Sequence, residues 1–295
     1  MKRTTYRWDD LKVLLELLRS GSLSGAGQAL GVNASTIGRR LEALEAALGV
    51  QLFERTADGV VATAAADALR DAAEAVERSV VNVDNVLDAL EAAPEGTVRI
   101  SAPPAICTHF IAPAVARLRR RFPRLQVQLD ASAELADLTL READVAVRLV
   151  RPTSGDLFAM KLGDSPTVVF VATDARVPEP LADPNDVDWI TWTTHDLPDA
   201  RWVKESVKEE RVAVRASSLE AQMAAARGGA GALLLSRAFR GVPGLRELRL
   251  APALEQRLAA RPDPALWLVT HRALRRVPRV EAAWELLLEE GRRFA

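Results

Sequence analysis

A chain of 295 residues can hold two or three domains with cores of their own and exceeds what one small DNA-binding module needs. Its 39 Lys and Arg against 40 Asp and Glu leave a formal net charge of −1, which argues against a nucleic-acid coat protein and leaves attraction to nucleic acid to local basic faces. Cys107 is the one cysteine, which excludes an intrachain disulfide and a cysteine-clustered metal site; no apolar run nears the ~20 residues that span a bilayer, and no signal-peptide core is present, so a cytoplasmic protein without membrane contact is expected.

In chain order, Asp9 or Asp10 can cap a first helix whose apolar positions Leu11, Leu14, Leu15 and Leu18 recur at helical spacing, with Gly21 to end it. Ser24 can cap a second helix. Ala26, Gly27 and Leu30 give it a small-residue face, and Gly31 closes it because glycine accepts the left-handed conformation at a helix end. Asn33 caps a third helix with Ile37, Leu41, Leu44 and Leu48 inward and Ser35, Thr36, Arg39 and Arg40 outward. A hairpin around Gly59 follows. Helix, glycine turn, arginine-bearing helix and small wing form the layout of a winged helix-turn-helix, whose third helix enters the major groove N-terminal end first. Ala34, Ser35, Thr36, Gly38 and Arg39 then face base edges, where an arginine can fork onto guanine or phosphate. For an isolated Arg-Arg pair a solvated basic face is the commoner meaning; the three-helix order around Arg39 and Arg40 favours the DNA-facing one.

Gly21-Ser22-Leu23-Ser24, Ala26, Leu30-Gly31-Val32, Ser35-Thr36, Arg39-Arg40-Leu41, Leu44-Glu45, Leu48-Gly49, Leu52-Phe53-Glu54-Arg55-Thr56, Gly59 and Thr63 together resemble the N-terminal signature of LysR-type transcriptional regulators. The chain departs from that pattern at Ala34, where a polar residue such as glutamine is common, at Gly38, where serine is frequent, and at Asp58, where a basic residue is frequent. Ser35, Thr36, Arg39, Arg40 and Arg55 remain as the expected DNA contacts. Weak discrimination per half-site is expected, with dimer spacing and DNA shape supplying specificity. Gly25, Gly27 and Gly38 are expected to weaken their helices by about 1 kcal/mol each relative to alanine.

From Ala64 to about Ala92 neither glycine nor proline interrupts the chain. Leu69, Ala73, Val76, Val80, Val83, Leu87 and Leu90 recur at alternating spacings of four and three, a seam of about three heptads. Such a seam packs on the chain's own body or on a partner helix. The resemblance implies the second: antiparallel pairing of two linkers in a homodimer, with homotetramers common. Two linked readers would address a dyad-symmetric site on double-stranded DNA.

Pro94 and Gly96 mark a hinge, after which strands and helices alternate: strand 98–101, helix 104–122, strand 127–129, a short helix from Asp137 to Arg141, and strand 145–150. A second unit begins near Val177, with strands 189–193, 211–216 and 232–235 and a helix 219–227. That rhythm implies a mainly parallel sheet covered by helices. The resemblance extends through Arg99 to Pro104, Phe122-Pro123, Asp144 to Arg148 and Gly228 to Gly231. It implies an α/β, two-lobed effector domain like a periplasmic-binding protein, with strand 265–270 and helix 277–293 returning to the first lobe. The expected division is a winged helix-turn-helix at 1–63, a dimerisation helix at 64–93 and an effector domain at 97–295. Lobe I would take about 97–174 and 265–295, and lobe II about 175–264.

A ligand in such a fold lies between the lobes at the carboxyl ends of strands, where helix N-termini offer free N–H groups. Pro103, Ala105, Ile106, Thr108, Ser132 and Arg148 from lobe I, and Thr193 and Ser217 from lobe II, are the candidates. Arg148 could equally serve an internal ion pair, and Ser132, Thr193 and Ser217 could be cap or turn residues. Ala105 sits where relatives are often polar, so a rather apolar effector, or none, is expected. Cys107 and His109 lack the oriented third group of a nucleophilic site, and Gly228 to Gly231 lacks the lysine and spacing of a phosphate loop. An enzyme is therefore not expected, nor a metal or cofactor. An architectural DNA binder indifferent to ligands is the alternative, and RNA polymerase is a further candidate partner. The arginines at 117, 119, 120, 121 and 124, and those at 272, 275, 276 and 279, read as solvated surface.

Overall fold

In the computed structural model, the described residues are 6–56, 59–88, 93–132, 138, 142–153, 155–261 and 265–292. They fall into two compact units, Met1–Val86 and Leu87–Ala295.

The first unit is built from α1 (Trp8–Ser20), α2 (Leu23–Ala29), α3 (Ala34–Leu48), a hairpin of β1 (Phe53–Thr56) and β2 (Gly59–Ala62), and the long α4 (Ala64–Asp88). The start of α1 differs from expectation. Arg7 is the N-cap residue, and Asp10 reaches back to accept from its backbone N–H at 2.8 Å. In α2 the cap is Ser22 rather than Ser24, its hydroxyl accepting from Gly25 N at 3.0 Å. Asn33 caps α3 as read. Leu14, Leu17, Ala26, Ile37, Leu41, Leu44 and Leu52 close a common core; each fully buried leucine contributes roughly 1.5–3 kcal/mol.

Glycine here serves close approach more than it costs helix stability. A β-carbon at Gly27 would lie 2.7 Å from the Val32 carbonyl oxygen, and one at Gly25 2.8 Å from Ser20 Cβ, so alanine is not a usable reference at either position. Gly38 alone of the three has room.

Among the described residues the second unit holds a five-stranded sheet in its first lobe and a three-stranded and a two-stranded sheet in its second. In the first lobe, β3 (Gly96–Ala102) leads into a continuous helical stretch of α5 (Pro104–Ile106), a π turn (Cys107–Ile111) and α6 (Ala112–Arg121). Then come β4 (Leu125–Ala131), β5 (Val145–Arg148) and β6 (Leu157–Asp164). The chain crosses to the second lobe through β7 (Thr167–Ala172), β8 (Trp189–Trp192), α7 (Pro198–Ser206), β9 (Val212–Ala216), α8 (Leu219–Arg227), β10 (Leu233–Ser236), β11 (Leu245–Glu247) and α9 (Pro252–Ala259). It returns with β12 (Ala265–His271) and α10 (Pro278–Gly291). The expected helix from Asp137 to Arg141 lies outside the described residues apart from Leu138, which is buried.

Sheet order in the first lobe is β4-β3-β5-β12-β6, with β3 parallel to β4 and β5. The sheet is mixed, not mainly parallel: β12 runs antiparallel to both β5 and β6. The cause is topological, since β6 carries the chain out of the lobe and β12 brings it back alongside. In the second lobe β7 pairs antiparallel with β10 and β11, and β8 pairs parallel with β9. A bridge from Trp189 to Ala232 joins these two sheets. Because β7 belongs to the second sheet, the first crossing lies between Asp164 and Thr167, earlier than the expected position near 174. The strands β6, β7 and β11 and the helices α7 and α9 were not read from the sequence.

Two of the arginine runs do structural work. Arg117 pairs with buried Glu290 and Arg121 with Glu285 at 3.9 Å, both on α10. Arg119 donates to the Leu125 carbonyl at 2.9 Å, and Arg124 pairs with Glu95 at 3.0 Å. Arg275 lies over the Trp284 ring, 4.7 Å from its centroid, and Arg279 is buried, which lowers its pKa. All five arginines of the first run are exposed, as expected of a solvated face, and through them α6 is tied to α10 and to β4; in the second run Arg279 departs from that expectation because it is buried.

Candidate nucleic-acid interface and ligand cleft

The outer face of α3 is organised by its cap. Asn33 Oδ1 accepts from Thr36 N at 2.8 Å, from Thr36 Oγ1 at 2.8 Å and from Ser35 Oγ at 2.7 Å. Both hydroxyl protons therefore point into the cap, and Ser35 and Thr36 present oxygen lone pairs outward, suited to accept from base amino groups. Arg39 is exposed and Arg40 half-buried, and neither forms an ion pair among the described residues. Among the described residues Arg39 is thus an unpaired cation a little over one turn into the helix.

The wing is fixed at both ends. Val60 N donates to the Gly21 carbonyl at 2.9 Å, and Glu45 Oε1 accepts from Leu52 N at 2.7 Å and Phe53 N at 3.1 Å. Arg55 leans from β1 across α3: its Nη2 lies 3.1 Å from Glu42 Oε1, and a β-carbon built at Gly38 meets nothing nearer than this guanidinium, at 3.9 Å. Sequence reasoning missed the Glu42 pairing. Asp58 lies outside the described residues.

The linker α4 divides along its length. Ala73 is 2 % exposed and buried in the core of α1 to α3, and Leu69, half-buried, packs against the same core. Arg19 clamps the same stretch, with Nη2 2.6 Å and Nη1 3.2 Å from the two Glu77 oxygens and Glu16 on its other side. The Glu77 carboxylate raises the arginine's pKa. Val76, Val80 and Val83, 39 %, 41 % and 60 % exposed, form the uncovered part of the seam. Leu87 lies in the helix, and Leu90 lies outside the described residues.

At the carboxyl ends of β3, β4 and β5, Pro103, Ser132 and Arg148 come together. Ser132 N donates to Ala102 O at 3.1 Å, and Arg148 donates to Ser101 O at 3.2 Å, Val147 O at 3.0 Å and Ser101 Oγ at 3.2 Å. Arg148 is 7 % exposed, and burial lowers its pKa against the nearby Asp130 charge. It is bound into its own sheet by these hydrogen bonds. Ala105 and Ile106 are buried too, 4 % and 7 % exposed, because helical spacing turns them inward with Phe110 and Ala114. Their side chains pack in the core. Thr108 faces solvent but donates to its own helix at Pro104 O, 3.0 Å. Thr193 and Ser217 are exposed together at the ends of β8 and β9, where Thr193 N donates to Ala216 O at 3.3 Å.

The lobes touch through groups not singled out as cleft residues. His109 Nε2 is 3.3 Å from Glu220 Oε2 at the start of α8, and its ring stands edge-on to Phe239 with centroids 5.6 Å apart. Phe110 meets the same Phe239 at 5.0 Å. Cys107 is a packed apolar residue, as read; burial pushes its thiol pKa up. Among the described residues no His, Cys, Asp and Glu cluster suits a metal, and no helix is long and apolar enough to cross a membrane.

A winged helix-turn-helix joined through a long helix to a two-lobed α/β body defines a class, and comparison with known proteins gives the family. Residues 8–67 match the bacterial regulatory helix-turn-helix protein, lysR family, and residues 91–292 match the LysR substrate binding domain. The chain belongs to the LysR family of transcriptional regulators. It is 33 % identical over 157 residues to the Mau operon transcriptional activator of Paracoccus denitrificans, 53 % of this chain and 55 % of that protein. It is 31 % identical over 198 residues to the HTH-type transcriptional regulator PtxR of Pseudomonas aeruginosa, 65 % and 62 % of the two chains. The chain thus spans a little over half the length of the curated relatives it matches. A full-length OxyR variant from Pseudomonas aeruginosa shares the fold, with a TM-score of 0.58 at 17 % identity over 97 % of both chains.

Proposed function

We propose that the protein is a cytoplasmic, sequence-specific DNA-binding regulator of transcription, acting as a homodimer or higher oligomer on a dyad-symmetric promoter site. The observation that carries this reading is the outer face of α3. Its capped N-terminus, exposed Arg39 and adjacent wing arginine put donors, acceptors and positive charge where a helix in the major groove needs them. The reading assigns DNA contact to Ser35, Thr36, Arg39, Arg40 and Arg55 and assigns no enzymatic chemistry. Genome-wide mapping of bound sites tests it directly: a small set of promoter sites with dyad symmetry is expected, and a random distribution overturns it. Arg39→Ala should lose about fivefold to a hundredfold in affinity for such a site, one bidentate contact being worth about 1–3 kcal/mol.

Control by a small molecule between the lobes is the second part of the proposal. With Ala105, Ile106 and Arg148 committed to packing and internal hydrogen bonds, and the Thr108 hydroxyl donating within its own helix, few of the candidate positions offer a strongly polar contact, which supports an effector of low polarity. Calorimetric titration with small aromatic and aliphatic acids, repeated on Thr108→Ala and Ser217→Ala, checks this. Unchanged binding in both variants refutes the site. A ligand works as a switch only by binding two states unequally, so footprints with and without it must differ.

A further inference from the structure

We propose that Glu42 is a specificity-determining residue of the nucleic-acid face, holding the wing's Arg55 in the unbound protein so that Arg55 reaches a phosphate only by giving up a carboxylate. The inference rests on the DNA-binding reading above. Its basis is the arrangement over one turn of α3. Glu42 Oε1 and Arg55 Nη2 are 3.1 Å apart, with both side chains about two-thirds exposed. Gly38, four residues earlier on the same helix, leaves the surface over which the guanidinium lies; a longer side chain there would occupy that space. The other carboxylate of α3, Glu45, is engaged by the backbone N–H groups of Leu52 and Phe53, so it does not compete for Arg55.

The exchange has a definite electrostatic consequence. An exposed ion pair is weak and opens readily. Moving Arg55 onto a phosphate nevertheless leaves the Glu42 carboxylate unpaired beside a polyanion, which cancels much of the gain. Sequence-independent binding, which depends on phosphate neutralisation and counterion release, is therefore held down. At a site that presents a cytosine amino group, the released carboxylate has a donor to accept from, and the opposition is relieved. Glu42 thus widens the gap between right and wrong sequences, while Arg39 supplies attraction to both.

The test uses the full chain as wild type, Glu42→Gln, Arg55→Gln and the double variant, with binding to a random-sequence duplex measured across salt concentrations. Glu42→Gln should bind several-fold tighter, and its plot of log affinity against log salt should steepen by about 0.9, one added phosphate contact. In the Arg55→Gln background the same substitution should change the slope little. The ratio of mapped-site to random-site affinity should fall in Glu42→Gln. Unchanged affinity and slope in Glu42→Gln, or an equal effect with and without Arg55, overturns the proposal while leaving the DNA-binding reading intact. Failure of the wild type to bind any duplex overturns both. Matching urea midpoints among the four proteins establish that folding is not the variable.

Discussion

At Gly59 the wing approaches the end of α1 more closely than a side chain permits. A β-carbon there would sit 2.5 Å from the Gly21 carbonyl oxygen, and φ is +142°. Gly59→Ala must open the hydrogen bond from Val60 N to that carbonyl or strain the backbone, at about 1–3 kcal/mol. Gly49 is the control, since it has positive φ but open space around it. Urea unfolding should show the larger loss at Gly59; an equal loss at both would mean that the close approach is immaterial. Cys107 gives a second residue-scale prediction. Burial raises its thiol pKa, so the reactive thiolate is depleted at neutral pH, and Ala102 O at 3.6 Å and Asp130 O at 3.7 Å surround the sulfur. Titration with a thiol-specific disulfide reagent should label it only in denaturant, and rapid labelling of the native protein would contradict the packing described. The approach of Gly59 to Gly21 and of Cys107 to Asp130 could not be read from the sequence, because each joins separate elements of the chain. The role of Asn33 could, because a cap and its target lie three residues apart.

The same distinction operates at the level of elements. The first, second and third helices, the hairpin and the linker were legible because apolar period, caps and glycine stops are all local signals. Strands β6 and β7 were not, because their pairing is decided by β12 and by β10 and β11, which lie about 65 to 110 residues further on. Ser22 rather than Ser24 caps α2 since the helix begins earlier than the small-residue face suggests. In the candidate site, Ser35, Thr36 and Arg39 were legible from their face of α3, whereas Glu42 and His109 acquire partners only when the wing and the second lobe fold against them. Asn33→Ala tests the element on which the nucleic-acid face depends. Loss of an N-cap costs about 1 kcal/mol, and here it also frees the hydroxyls of Ser35 and Thr36 from their shared acceptor. The urea midpoint should drop modestly while affinity for a mapped DNA site changes by more than the stability loss alone explains. A stability loss with unaltered affinity would show that hydroxyl orientation has no part in recognition.

For the whole molecule, the exposed half of α4 is the surface on which oligomeric state turns. Three valines spaced four and three apart, Val76, Val80 and Val83, remain uncovered on a 25-residue helix, while the preceding seam residues Leu69 and Ala73 are already packed against α1 to α3. The Arg19 clamp on Glu77 holds the helix in place at the point where the covered part ends and the free part begins. A partner helix would bury the valines, each worth roughly 1.5–3 kcal/mol when fully removed from water, and a carboxylate at the middle one would have to be desolvated without a partner. Val80→Asp should therefore lower the sedimentation mass at micromolar concentration from that of a dimer or larger assembly to that of a single chain. Its first unit should stay folded, because Val80 contributes nothing to that core. Ala73→Asp should do the reverse, unfolding the first unit through a buried charge before any assembly is affected. With the subunits separated, affinity for a dyad site should fall to that of one half-site, since linked readers gain from effective concentration. An unchanged mass in Val80→Asp would place the subunit contact elsewhere than on this seam.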